Sequence, residues 1–277
     1  CFRMLHCRAT IPDTKLPAPM KTSQIALQLY TLRDHTNTTR EFAETIRKVA
    51  SIGYPAVQLS AIDYGEVPEE EVVRICADHG LTICATHEPA DDILDDPSRV
   101  VDRLGKLGTS ITAYPFPKGI DFADERSVAD LIRGLDEAGG VLAANGHRLL
   151  YHNHHHEFRR LDGRLLLERI YAETDPEHLQ GEPDTYWIQF GGGDPAGWCR
   201  CLRGRLPVVH LKDYRINDDA VPEFAEIGQG NLDMAAIIRE CDQAGCEWFV
   251  VEQDTCRGDP FESIATSFDF LKALADD

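Results

Sequence analysis

Positive charge is scarce in this chain: 28 lysines and arginines face 47 aspartates and glutamates, a formal net charge of −19 over 277 residues. That balance repels phosphate backbones and anionic lipid, so neither nucleic acid nor a membrane surface is expected as a partner. No apolar run is long enough to cross a bilayer, and the first twenty residues hold no apolar stretch of the kind a secretory signal needs, so a cytoplasmic protein is expected. The nine cysteines are scattered and form no Cys-x-x-Cys pair, which suggests neither a disulfide framework nor a zinc knuckle. No Gly-x-Gly-x-x-Gly turn follows the first apolar run, so the signature of a dinucleotide-binding sheet is missing as well.

What the chain does contain is one alternation repeated along its length. A short apolar run, a polar turn and an amphipathic helix follow one another, with strands expected at 25–30, 56–59, 81–86, 110–114, 148–152, 179–184, 206–211 and 248–252. Helices are expected between them, at 39–52, 69–79, 98–107, 125–144, 165–171, 195–202, 232–244 and 260–274, several stopped by a glycine such as Gly53, Gly80 or Gly108. The sixth strand is the weakest, because Gly181 and Pro183 interrupt it. Eight strand-then-helix units with short crossovers imply parallel pairing and predict a (β/α)8 TIM barrel, an open doubly wound sheet being the alternative. Residues 1–19, with Pro12, Pro17 and Pro19 and no periodicity, read as a disordered extension, and 20–277 as a single barrel domain. Asp162-Gly163 marks a small hairpin on one rim. Gly191-Gly192-Gly193-Asp194 reads as a flexible loop, and self-association is left open.

Active sites of such barrels form where the strands end, so the ends carry the information. Strand five ends Tyr151-His152-Asn153-His154-His155-His156-Glu157, strand six Glu182-Pro183-Asp184, strand seven His210-Leu211-Lys212-Asp213 and strand eight Glu252-Gln253-Asp254. Carboxylates and imidazoles gathered in one mouth repel or protonate unless a cation holds them. A mixed oxygen and nitrogen set suits Mn2+, Co2+, Zn2+ or Mg2+. In strand geometry His152 and His154 share one direction, which leaves His155 and His156 for the rim. Read one by one, Asp184 is also a turn cap, Glu252 a partner for a rim arginine and Lys212 a salt-bridge partner of Asp213 or Glu252.

These motifs together resemble the sugar phosphate isomerase/epimerase family of xylose isomerase-like TIM barrels. The resemblance rests on Tyr-His-Asn-His-x-x-Glu-Phe from Tyr151 to Phe158, Asp-Thr-Tyr-Trp from Asp184 to Trp187, His-Leu-Lys-Asp from His210 to Asp213 and Val-Glu-Gln-Asp from Val251 to Asp254; Gln28 to Asp34 is similar to the family's opening strand. It implies one divalent cation, most often Mn2+, with Asp184, His210 and Glu252 on three ligand positions. Many epimerases of this fold carry a glutamate at the end of strand five. Here His152 stands there, with Glu157 as the rival fourth ligand, a departure from a symmetric two-glutamate epimerisation.

The expected chemistry is removal of a proton next to a metal-bound carbonyl of a small sugar, keto-sugar or polyol, with isomerisation or epimerisation as the outcome. A lyase of the same fold, dehydrating an inosose or cleaving a 3-keto-glycoside, is the alternative. An apurinic endonuclease or a binding barrel without activity ranks behind both. Glu157, Glu252 and His154 are the candidates for proton transfer and Lys212 for holding an oxyanion, while Gln28, His87 and Trp187 are placed to line the substrate pocket.

Overall fold

The computed structural model describes residues 20–275, so the expectation for 1–19 lies outside the described residues. Eight parallel strands run around one barrel: β1 (Ile25–Gln28), β2 (Ala56–Leu59), β3 (Thr82–His87), β4 (Ile111–Tyr114), β5 (Arg148–His152), β6 (Leu179–Glu182), β7 (Val208–Leu211) and β8 (Trp248–Val251). They pair in the order β6-β5-β4-β3-β2-β1-β8-β7. The remaining gap, between β6 and β7, is nearly closed. The Gly181 amide donates to the Arg205 carbonyl at 2.7 Å, the His210 amide to the Pro183 carbonyl at 3.0 Å, and Asp184 bridges His210 in parallel.

Side chains alternate across each strand, and this sorts the sequence into two layers. Leu27, Val57, Leu149, Val209 and Phe249 face outward into the main core beneath the helices. Ala26, Ala56, Ala85, Ala113, Leu150, Val208 and Val250 form a small apolar plug inside. Two residues further along, the same inner face becomes polar: Gln28, Gln58, His87, His152, His210 and Glu252 follow residues of that plug, and Glu182 takes the corresponding place on β6. The barrel is therefore filled at its base and chemically equipped at its carboxyl end.

The helices are set by their caps. Thr38 accepts from the Glu41 amide to start Thr39–Ile52, and Gly53, at φ 120°, ends it against the Phe268 ring, where a Cβ would collide. Asp96 and Pro97 open Pro97–Leu107 in the same way.

Departures from the sequence reading lie mostly on the carboxyl-end rim. β1 stops at Gln28, whose side chain accepts from the Tyr30 amide as the chain turns into a 3-10 segment over Leu29–His35. Short helices at Ala90–Asp95 and Thr185–Phe190, and a hairpin of Asp213–Ile216 with Pro222–Ala225, fill stretches between the expected elements. The hairpin at Asp162-Gly163 is present, pairing Arg160–Leu161 with Arg164–Leu165. The glycine run after the sixth strand is a packed corner. Phe158 lies against Gly191 and Gly193 so closely that a Cβ at either would strike its ring. Among the described residues, no helix is long and apolar enough to cross a membrane.

Candidate metal centre and active site

The polar ends of β5 to β8 meet in the mouth. One ligand atom from each of His152, Asp184, His210 and Glu252 lies within 4.8 Å of the others, and all four residues are buried. Local structure aims each of them. Asp184 caps the helix Thr185–Phe190 by accepting from the Trp187 amide with Oδ1 at 2.9 Å, which leaves Oδ2 turned to the mouth without a hydrogen bond. Its own amide donates to Asn153 Oδ1, tying β6 to the residue after His152. Thr185 Oγ1 bonds to both the carbonyl and the amide of Lys212 and so locks the end of β6 to the end of β7. Two imidazoles and two carboxylates, with an Asp184 Oδ2 that accepts no hydrogen bond and is faced by the Lys212 ammonium, form a donor set that fits a divalent cation.

Lys212 lies in the same cavity. Its Nζ is 3.0 Å from Asp184 Oδ2, 2.9 Å from Glu252 Oε2 and 2.8 Å from Asp254 Oδ1, with only 2% of the side chain exposed. Burial works against its charge, but the three carboxylates outweigh it and keep the ammonium protonated well past the usual lysine range. Asp213 points away and accepts from the amides of Tyr214, Gly228, Gly230 and Leu232, stapling the loop behind the hairpin. Of the two partners weighed for Lys212 in the sequence, Glu252 is therefore the one it contacts.

Burial pushes the Asp184 carboxyl up to about 6 against the pull of Lys212. His152 is pushed down to about 3 by burial and by the neighbouring His210, so its ring is neutral and has one bare nitrogen. Burial also opposes charge on His210, yet Glu182 and Glu252 prevail and raise it to about 10.

Around this centre stand the other expected residues. His154, kept neutral chiefly by burial, packs 5.0 Å from the His152 ring and 5.5 Å from Trp187 (ring centroids), and its Nδ1 has no protein partner. His155 and His156 sit further out among Trp187, Phe190, Phe116 and Phe122. Gln28 Nε2 and Trp187 Nε1 are also buried without partners. His87 gives its Nε2 to Glu182 Oε2 at 2.6 Å and stacks on His210. Glu157 is wholly enclosed: Oε1 accepts from the Tyr151 hydroxyl and Oε2 from the His154 amide. It holds the turn after β5 and is not among the four converging donors.

A family model described as the xylose isomerase-like TIM barrel matches residues 46–274. The chain belongs to that family. Within its sequence relatives, the inosose dehydratase of Geobacillus thermodenitrificans is 33% identical over 149 residues, which is 48% of this chain and 49% of that protein. Inosose dehydratase 2 of Bacillus cereus is 28% identical over 206 residues, 66% of this chain and 68% of the relative. The chain thus spans about half the length of the first and two thirds of the second. A sugar phosphate isomerase/epimerase from Parabacteroides distasonis superposes with a TM-score of 0.78 at 20% identity, over 97% of this chain and 99% of that one, a likeness of fold.

Three mouth residues were given no role from the sequence: Gln58, Glu182 and Asp254. The inner-face alternation identifies Gln58 and Glu182 once the register of β2 and β6 is known. Asp254 was visible as part of Glu252-Gln253-Asp254, but its approach to Lys212 is tertiary.

Proposed function

We propose that this xylose isomerase-like barrel is a divalent-metal-dependent lyase of the inosose dehydratase kind. It would take a proton from the carbon beside the carbonyl of a keto-polyol and release the β-hydroxyl as water. The observation that carries the reading is the convergence of His152, Asp184, His210 and Glu252 around one point beside the Lys212 ammonium. When bound there, a divalent cation, Mn2+ first and Co2+, Zn2+ or Mg2+ as substitutes, supplies Lewis-acid polarisation of a carbonyl.

The chain's own groups then have separate tasks. His154, neutral and with an unpartnered Nδ1 at the rim of the mouth, takes the α-proton. Lys212, fully charged, faces the oxygen on which negative charge develops and donates to it. As the carbon–carbon double bond forms, the β carbon–oxygen bond would break and the hydroxyl would leave as water with the proton His154 has taken from the α-carbon, returning that imidazole to its neutral form. Glu252 shares Oε2 between His210 and Lys212, so we assign it to holding the centre. Glu157 fixes the position of His154 through its amide. Gln28 Nε2 at the end of β1 and Trp187 Nε1 on the helix Thr185–Phe190, both buried donors, are suited to the remaining hydroxyls of a polyol, because a buried donor left unpaired costs about 1–3 kcal/mol.

Of the outcomes that share this early chemistry, elimination is favoured over epimerisation. Epimerisation needs a proton-transfer group on each face of the carbon, and β5 brings an imidazole where a second carboxylate would stand. The names of the two curated relatives point the same way. The test incubates the Mn2+-loaded protein with a panel of inososes, ketoses and 3-keto-glycosides in deuterated water. Loss of water from an inosose, abolished by chelator, is the expected result; C–H exchange with the carbon skeleton otherwise intact would make the protein an epimerase instead.

A further inference from the structure

The mouth contains two overlapping sets of donors. Besides His152, Asp184, His210 and Glu252 there is a deeper one, His87, His152, Glu182 and His210, equally close-set. We propose that the deeper set is not a second ion site, and that Gln58 and Glu182 are positioning residues that turn the ligating nitrogens of His152 and His210 toward a single ion in the shallower set. This rests on the metal reading above and extends it to residues that touch no ion.

Gln58 Nε2 donates to Glu182 Oε1 at 2.7 Å, and a carboxylate oxygen in that role can only accept, so the orientation of the Gln58 amide is fixed. Its carbonyl oxygen therefore faces His210 Nε2, 2.7 Å away, and that nitrogen must carry a proton. The nitrogen that remains for an ion is then Nδ1, 2.7 Å from Glu252 Oε2. On the other side, His152 Nδ1 lies 3.3 Å from Glu182 Oε2, while its Nε2 faces Asp184 Oδ2 at 3.9 Å. With a proton on Nδ1, the bare Nε2 again points to the shallower set. His87 Nε2 completes the group at 2.6 Å from Glu182 Oε2.

Glu182 thus receives the Gln58 amide and the His87 ring and faces His152 Nδ1 at 3.3 Å, with no exposed surface of its own. The deeper set is spent on hydrogen bonds to Glu182 and Gln58, and the nitrogens it leaves toward the shallower set are His210 Nδ1, beside Glu252, and His152 Nε2, beside Asp184. Outer partners of this kind, on ligating histidines, typically change metal affinity by about 10–100-fold when removed.

The experiment is Mn2+ titration, followed by electron paramagnetic resonance, of the full chain and of Gln58→Met, Glu182→Gln and His87→Gln. We expect one Mn2+ per wild-type chain, affinity weakened about 10–100-fold in Gln58→Met and Glu182→Gln, and His87→Gln within a few-fold of wild type. Two-bond proton–nitrogen spectra of the Zn2+-loaded protein supply a second reading that bulk packing would not move: His210 protonated at Nε2 in the wild type, and that tautomer no longer enforced in Gln58→Met. Two ions per wild-type chain, loss of an ion in His87→Gln, unchanged affinity in Gln58→Met, or His210 bound through Nε2 would each overturn the proposal while leaving a metal enzyme in place. A wild-type chain that binds no ion would instead remove the metal reading itself.

Discussion

Replacing Lys212 by methionine keeps the length of the side chain and deletes its charge. In the wild type the ammonium touches Asp184, Glu252 and Asp254 within 3.0 Å, the first two almost wholly buried and Asp254 at the edge with 23% of its side chain exposed. Breaking a buried ion pair by removing one partner costs about 3–5 kcal/mol, because the partner left behind is charged and desolvated. Two buried carboxylates and a partly solvated third lose their shared counter-charge here, so a loss of about 3–5 kcal/mol is expected when chelator is present. A divalent cation between Asp184 and Glu252 would return most of the missing positive charge. With saturating Mn2+ the deficit of Lys212→Met relative to wild type should therefore shrink by more than half, and the variant should bind Mn2+ more tightly than wild type. Urea unfolding of both proteins, in chelator and in Mn2+, reads all of these quantities. A variant as stable as wild type in chelator, or one equally destabilised with and without the ion, would refute the reasoning.

Further outcomes follow from single residues. Asp184→Asn should lose Mn2+ retention while unfolding within about 1 kcal/mol of wild type, since an asparagine oxygen still caps the helix at Thr185; metal analysis after gel filtration and a urea curve check both halves. His154→Asn should lower kcat by about 10²–10⁴-fold with Mn2+ affinity unchanged, and parallel losses of both would remove its assignment to proton transfer. Burial raises Glu157 from 4.5 to about 7, so its contribution to folding is fully present below about 4.5 and is lost as pH rises through about 7. Compared with Glu157→Gln, wild type should lose roughly 2–3 kcal/mol between pH 5 and pH 8, at about 1.4 kcal/mol per unit; a constant difference between the two urea curves would contradict this.

The barrel could be read from the sequence because its signals are local. Caps such as Thr38 and Asp96, stops such as Gly53 and Gly108, and apolar runs at the right spacing placed all eight barrel strands within a residue or two of their observed ends. Even the interrupted sixth strand formed, since Gly181 is needed where Leu202 and the Arg205 carbonyl press against β6. What escaped was held by distant partners. The hairpin after Asp213 depends on amides fifteen to nineteen residues away, and the glycine corner at 191–193 depends on the Phe158 ring. The same division runs through the candidate site. His152, Asp184, His210 and Glu252 announce themselves as polar strand ends, whereas the importance of Gln58 appears only when β2 is set opposite β6 across the barrel. His87 and Glu157, each a reasonable mouth residue by position, are occupied by Glu182 and by Tyr151 with the His154 amide.

The most direct test of the account is an anomalous difference map from crystals grown with Mn2+. It should contain one strong peak in the barrel mouth, about 2.0–2.3 Å from His152 Nε2, Asp184 Oδ2, His210 Nδ1 and a Glu252 carboxylate oxygen. A mouth without a peak, or a peak ligated by His87 and Glu182 in place of Asp184 and Glu252, would contradict it.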